Sequence, residues 1–271
     1  MSNAIGKAKD AESKKAAFEA FIKAYPPTKA DKSNVDFYKT VVAAAYHREK
    51  NYDAFKTWIA DLPIAEKTSA YNNLAWNMAL AKEDLAQAKA MSFEATSWAK
   101  KEMTDPAEKK PDYETRKAWD KERKYVYGMY ADTYAFILYQ LGDYKNGYQY
   151  AKESAIINEF KNAEYNERYA QLLVKVMPAP AAKKEIEKLV KDGTASSKTK
   201  VLLKELYVNE KRSDAGYDEY LARLNAAATE KKREELIKTM INEESPQFSL
   251  KDLDGNDVSL AGLKGKIVIV D

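Results

Sequence analysis

The chain contains no cysteine and only one histidine among its 271 residues. Without cysteine it can form no disulfide and offers no thiolate for catalysis or metal binding. A zinc site would require further cysteine or histidine ligands beside His47, so we expect no metal site and interpret His47 as a surface residue of a helix. The absence of cysteine does not identify a compartment.

Glycine and proline are also scarce, with nine and eight residues, which favours helices over loops or a β-sandwich. The sequence has no run of about 18 apolar residues, so no integral membrane segment is predicted. Lys and Arg total 45 against 42 Asp and Glu, a net charge of +3. This near balance gives no electrostatic reason to expect nucleic acid as a partner. Neither a Walker loop nor G-x-G-x-x-G nor H-E-x-x-H is present, so no cofactor is predicted.

Apolar residues recur at helical spacing through most of the chain. The spacing predicts helices at about 8–24, 34–46 with Asn34 as N-cap, 52–59, 65–78, 84–98, a long helix ending at Gly142, and 143–158, 163–177, 181–191, 198–208 and 214–243. The charged stretch 101–124 contains Pro106 and Pro111. It is interpreted as a loop to about Pro111, followed by the approach to the long helix.

Three of the predicted joints share a local pattern, namely Asn51-Tyr52, Asp84-Leu85 and Asp143-Tyr144. The first two lie 33 residues apart, close to the tetratricopeptide period of about 34. Gly142 and Gly147 around the third joint resemble the turn of a tetratricopeptide hairpin. Because one helical hairpin cannot cover its own apolar stripe, such hairpins stack. We therefore predict a mainly α fold of tetratricopeptide-like stacked α-hairpins over residues 5–244.

Tyrosine is the over-represented residue, with nineteen in total and eight between Tyr125 and Tyr150. Tyr127, Tyr130 and Tyr134 share one helix face. Together with Trp76 they are candidates for an aromatic groove that binds a protein, peptide or carbohydrate ligand. The competing interpretation, which we favour, is a helical core in which large rings pack and their hydroxyls reach its edge.

Two weaker patterns have simple structural interpretations. Asp252, Asp254 and Asn256 faintly resemble a calcium loop, but the glycine and the final acid of an EF-hand are misplaced, which favours a hairpin turn. Ser197 and Lys200 form S-x-x-K without the companion motifs of serine acyl-enzymes, so we interpret them as coincidental. No catalytic residue is predicted.

The tail, residues 245–271, changes from helical to alternating periodicity. Phe248 and Leu250 alternate with polar residues, Asp254-Gly255-Asn256 is a turn signal, and Val258 and Leu260 predict a returning strand. The β-branched run 267–270 then predicts a strand buried on both faces. A hairpin followed by such a strand is the opening of an α/β sheet.

At these residues the chain resembles the redoxin family, the thioredoxin-like proteins of the TlpA/ResA and AhpC/TSA types. The pattern P-x-F-x-L-x-D-x-x-G-x-x-V-x-L-x-x-L-K-G-K runs from Pro246 to Lys266 and precedes the hydrophobic run. It covers about a tenth of the chain. The resemblance implies a truncated thioredoxin-like domain that lacks its cysteine pair, from a thiol:disulfide oxidoreductase of the periplasm or cell envelope.

Three functions stay open at this point. The chain is the N-terminal part of a thiol:disulfide oxidoreductase, a non-catalytic tetratricopeptide-like binding module, or part of a peroxidase-type redoxin. In the first case the helical domain serves as a substrate-binding, partner-binding or spacer module. A truncated sheet also predicts that residues 267–270 either lack fixed structure or pair with a second molecule or with the helical domain.

Overall fold

The structure, a computed structural model, describes residues 2–107, 109–241, 243–244 and 246–267. These residues form twelve α-helices and one two-stranded sheet. The helices are α1 Ser2–Lys7, α2 Ala11–Ala24, α3 Lys32–Arg48, α4 Tyr52–Trp58, α5 Ile64–Ala81, α6 Leu85–Thr104, α7 Arg116–Gln140, α8 Tyr144–Ile157, α9 Ala163–Val176, α10 Ala179–Lys191, α11 Ser197–Lys211 and α12 Tyr217–Thr239. The strands are β1 Ser249–Lys251 and β2 Asp257–Ser259. The predicted fold class, mainly α with a short β segment, is confirmed.

The chain divides into two compact units, Met1–Ala228 and Thr229–Asp271. In the first unit most helices pack against their neighbours in the sequence, as α5 to α11 do throughout. Two hydrophobic clusters fill this unit, and α7 contributes to both of them. The second unit contains the end of α12 and the β-hairpin. The domain boundary between 244 and 245 stays a prediction.

The three joints found in the sequence are all helix starts. Asn51 and Asp84 are N-caps whose side chains accept hydrogen bonds from backbone N–H groups in the first turns of α4 and α6, and Asp143 is the N-cap residue of α8. Such caps satisfy donors that the helix itself leaves unpaired. The N-cap predicted at Asn34 is wrong, since Asn34 lies inside α3. Thr28 and Asp31 instead form a capping box around a 3₁₀ turn that leads into α3.

The turns that close these hairpins share one backbone geometry. Lys50, Lys82 and Gly142 each have a positive φ, of 59°, 56° and 77°. In each turn a backbone N–H bonds to the carbonyl five residues earlier, as from Asp143 to Leu138. This is the Schellman arrangement that ends a helix with a left-handed residue. Two of the three positions are occupied by lysine, so glycine content alone does not reveal these turns.

Gly147 allows α7 and α8 to approach closely. A Cβ atom at this position would lie 3.0 Å from Leu172 Cδ2, 3.3 Å from Leu138 Cβ and 3.4 Å from the carbonyl oxygen of Ala135. The glycine noted in the tetratricopeptide-like pattern therefore has a packing role, because a side chain would push the helices apart.

Among helices that are not neighbours in the sequence, the odd-numbered helices from α5 to α11 pack against one another. Helix α5 packs against α7, α7 against α9, and α9 against α11. Within the described residues α6, α8 and α10 contact one another little or not at all. We call the surface of α5, α7 and α9 that faces away from α6 and α8 the inner face.

The tail forms the predicted hairpin. Strands β1 and β2 are antiparallel with Leu250 opposite Val258. The carboxylate of Asp252 accepts hydrogen bonds from the backbone N–H groups of Asp254 and Asn256, at 3.0 and 2.8 Å, and Gly255 has φ of 86°. The predicted hairpin turn is therefore confirmed. Of the predicted strand 267–270, Ile267 is exposed and 268–270 lie outside the described residues.

Candidate functional site

The three tyrosines of the predicted groove point into the core of the array. Tyr127, Tyr130 and Tyr134 are between 0% and 6% exposed. Tyr127 and Tyr134 face α6 and α8: the Tyr127 hydroxyl donates to Glu153, and the Tyr134 ring contacts Phe93 and Tyr150. The Tyr130 hydroxyl instead lies beside Thr68 and Ser69 of α5. Burial raises the pKa of all three hydroxyls, that of Tyr134 to about 12. This placement agrees with the core interpretation, and a groove lined by these rings stays a prediction.

Trp76 packs against a residue of α7 other than the three tyrosines. Its ring is partly buried and its centroid is 5.3 Å from that of Phe136 on α7. Arg168 of α9 covers the Phe136 ring, with the guanidinium carbon 3.8 Å from the ring centroid. A cation over an aromatic face at this distance is attracted by the ring quadrupole. Trp76, Phe136 and Arg168 therefore form a continuous stack across three helices, which we call the inner-face stack.

Beneath the stack lies a buried pair of opposite charges that makes almost no hydrogen bonds. Arg168 Nε is 3.9 Å from Asp132 Oδ1, and the two side chains are 12% and 9% exposed. Both atoms are buried without a hydrogen-bond partner. Among the described residues, a hydrogen bond to the pair's surroundings runs from Arg168 Nη1 to Gln171 Oε1, at 2.9 Å. A separation of 3.9 Å is too long for a hydrogen bond.

The electrostatics of the pair are dominated by burial. Loss of hydration raises the pKa of the Asp132 carboxyl to about 7, although Arg168 opposes this shift. The negative charges of Glu164 and Glu167 on α9 also raise the pKa of Asp132, by a smaller amount than burial does. Burial likewise lowers the pKa of Arg168. Attraction across 3.9 Å does not compensate for the lost hydration, as is common for buried pairs with poor geometry.

The surroundings of the pair hold further polar and aromatic groups. Tyr165 on α9 is close enough to Asp132 to interact with its charge, and burial raises the pKa of this tyrosine to about 12. Glu167 is turned away to the next hairpin, where its carboxylate accepts from Ser196 Oγ at 2.7 Å and pairs with Lys198 at 3.1 Å. Glu167 is therefore already hydrogen-bonded, whereas Asp132 Oδ1 has no hydrogen-bond partner among the described residues.

A cavity extends the inner face from α5 toward α3. It has a volume of about 370 Å³ and is lined by Thr40, Ala65, Glu66, Ser69, Ala70 and Asn73. Asn73 lies one turn before Trp76 on α5, so the cavity and the inner-face stack share a side of that helix. A second cavity of about 420 Å³ lies between α10 and α11, away from the stack.

The sequence contains one indication of the buried pair, which is easily overlooked among the tyrosines of the same helix. Asp132 is the only charged residue between Tyr125 and Gly142. A lone acid within so apolar a helix is rarely buried without a partner. The partner, Arg168, is 36 positions away on another helix, so periodicity could not identify it.

The other residues singled out in the sequence, His47 and Ser197, lie on helices. His47 is partly buried, which lowers its pKa, and its ring lies near Tyr52. Ser197 is the first residue of α11, and the adjacent Ser196 is its N-cap. No cluster of three or more metal-ligating side chains is found in the part of the chain that the structure describes.

Comparisons with known proteins identify no relative. No family model matches the chain, and no curated protein or solved structure is significantly similar to it. Within the described ranges, none of the helices combines the length and the apolar character needed to cross a membrane.

Proposed function

We propose that the helical array binds a polypeptide partner through its inner face. The observation that carries this proposal is the inner-face stack together with the pair beneath it. Aromatic rings and a guanidinium from three helices stack side by side, with a carboxylate buried beneath them. Among the described residues Asp132 Oδ1 and Arg168 Nε lack the hydrogen bonds that buried polar atoms normally make. Sites of this composition combine apolar contact area with a few orienting polar groups.

We further propose that the chain is part of a thiol:disulfide oxidoreductase of the thioredoxin-like superfamily, located in the periplasm or cell envelope. Support comes from the redoxin-like residues 246–266 and from the hairpin formed by β1 and β2. Dithiol exchange requires cysteines, and this chain has none. The proposal therefore assigns this chain the selection of a substrate or partner rather than the redox step.

A non-catalytic binding module is the second candidate, and the lack of cysteine favours it. The coding sequence that follows the codon of Asp271 distinguishes the candidates. A Cys-x-x-Cys motif after the hydrophobic run supports the oxidoreductase, and an isolated cysteine supports a peroxidase-type redoxin. An immediate stop codon contradicts both enzyme proposals and leaves the binding module.

Binding itself is tested by fluorescence anisotropy with a labelled, reduced and alkylated protein that stays unfolded. We expect saturable binding of this probe by the chain, and weaker binding of the same protein in its native, disulfide-bonded form. No change in anisotropy at the highest soluble concentration of the chain would contradict the binding role. The chain's own circular dichroism, measured in parallel, confirms that the helices are folded.

A further inference from the structure

We infer that the C-terminal end of α12 is a homodimer interface, in which two copies of the chain pack antiparallel. The apolar part of this interface consists of Leu236, Ile237, Met240 and Ile241, which we call the α12 stripe. The partner is a second copy of this chain. The interface uses residues of the second compact unit and none of the inner face on which the proposed function depends.

The α12 stripe is an apolar cluster that lies open to solvent. Its four side chains are between 55% and 81% exposed. Residues four apart on a helix lie on one face, so Leu236 is beside Met240 and Ile237 is beside Ile241. The backbone N–H of Met240 donates to the carbonyl of Ile237 at 3.3 Å. The backbone therefore makes a further turn after Thr239, the last residue of α12.

The two halves of α12 differ in what their apolar residues contact. Tyr217 and Leu224 in the first half are buried in the second of the two hydrophobic clusters. Every residue from 229 to 241 is exposed. Single exposed apolar side chains are common on protein surfaces, whereas several that adjoin one another indicate a surface that a partner covers.

The charges at the two ends of the α12 stripe identify that partner. Arg233 precedes Leu236 by three residues, and Glu244 follows Ile241 by three residues. Arg233 shares the helix face of the stripe, because residues three or four positions apart are neighbours on a helix. Its guanidinium pairs with Glu230 at 3.8 Å, and these two side chains are 70% and 62% exposed. The cation is therefore accessible to a second molecule.

A second copy placed antiparallel satisfies both ends of the stripe at once. A two-fold axis through the middle of the stripe brings Arg233 of each copy to Glu244 of the other, and the apolar side chains meet between these pairs. Such a surface is complementary to itself, as an isologous dimer requires. A parallel copy would instead place like charges opposite each other at both ends. The segment is shorter than the about 20–30 residues per partner of a standard interface, so we expect a weak dimer.

The first test measures self-association of the full chain. Sedimentation equilibrium between about 5 µM and 1 mM should show a monomer–dimer equilibrium with a dissociation constant on the order of 100 µM. Met240→Ser should weaken the dimer about tenfold, because the substitution removes an apolar contact from both copies. The matched control is Leu253→Ser, which removes a fully exposed apolar side chain from the hairpin turn and should leave the equilibrium unchanged. A chain that stays monomeric at every concentration would overturn the inference.

The second test reverses the charges at the ends of the stripe. Arg233→Glu and Glu244→Arg should each weaken self-association about tenfold, because each creates two contacts between like charges in the symmetric dimer. An equimolar mixture of the two variants should recover the wild-type association, since every end contact of the mixed dimer then joins opposite charges. Lys238→Glu and Glu235→Arg reverse charges on the side of α12 away from the stripe. These matched controls should associate like the wild type.

The variants separate this interface from other modes of self-association. If Met240→Ser and both charge reversals dimerise as strongly as the wild type, the α12 stripe is not the interface. If Met240→Ser weakens the dimer but the charge reversals do not, or if the mixture fails to recover association, the antiparallel arrangement is wrong. All the substituted side chains are exposed, and circular dichroism verifies that each variant is folded.

Discussion

Replacing Asp132 by asparagine should change how the stability of the protein depends on pH. The folded-state pKa of Asp132 is about 7, raised by burial from the ordinary value of 3.8. A difference of about three units, at 1.36 kcal/mol each, corresponds to roughly 4 kcal/mol. Asparagine has nearly the same shape and does not titrate.

The sign follows from which state binds the proton more tightly. Because the folded-state pKa is raised, the stabilisation by protonated Asp132 is complete below about pH 4 and is lost as the pH rises through about 7. The free energy of unfolding of the wild type should therefore fall over this interval relative to that of D132N. The difference between variant and wild type should shift by roughly 4 kcal/mol in favour of the variant.

Urea denaturation followed by circular dichroism at several pH values between about 4 and 8 measures this shift, because the midpoint and slope give the free energy at each pH. Asp120→Asn, on the same helix but with 44% of the side chain exposed, controls for the substitution itself. A difference that stays constant across the pH range would show that burial does not dominate the Asp132–Arg168 pair. NMR titration of the Asp132 carboxyl carbon would provide an independent check.

Three further substitutions test the packing and the turns. Gly147→Ala should lower the free energy of unfolding by about 1 kcal/mol, since overpacking outweighs the gain in helix propensity. The control is Gly6→Ala, where a Cβ atom meets no atom within 4 Å. This substitution should be neutral or stabilising in the same denaturation assay. Tyr127→Phe should cost roughly 1 kcal/mol because Glu153 loses its hydrogen bond, and unchanged stability would contradict this role. Hydrogen bonds from the turn lower the pKa of Asp252. The NMR signals of the hairpin amides should therefore shift as the pH falls through that lowered pKa. Asp252→Ala should abolish this pH-dependent shift.

Local patterns predicted much of the helical array. Asn51, Asp84 and Asp143 were recognised as joints because a cap acts within one turn of the chain, and all three start helices. The tail hairpin was predicted for the same reason, since Asp254-Gly255-Asn256 closes it within a few residues. The wrong N-cap prediction at Asn34 also has a local cause. The capping box of Thr28 and Asp31 starts the helical segment a few residues before Asn34.

The candidate site was only partly predictable. The sequence groups Trp76 with Tyr127, Tyr130 and Tyr134, whereas in the structure the Trp76 ring packs on Phe136 and the three tyrosines are buried. The period of a helix shows which residues share a face. It does not show whether that face is covered by neighbouring helices or left open, because this depends on how other hairpins pack.

The amino-acid sequence by itself determined the helical class of the protein, the positions of its main joints and the β-hairpin of its tail, because each depends on interactions within a few residues. The tertiary structure alone decided that the tyrosine face is core and that Asp132 meets Arg168 beneath the inner-face stack. Burial and long-range pairing are properties of the packed array, since a carboxylate becomes desolvated only when distant helices close around it.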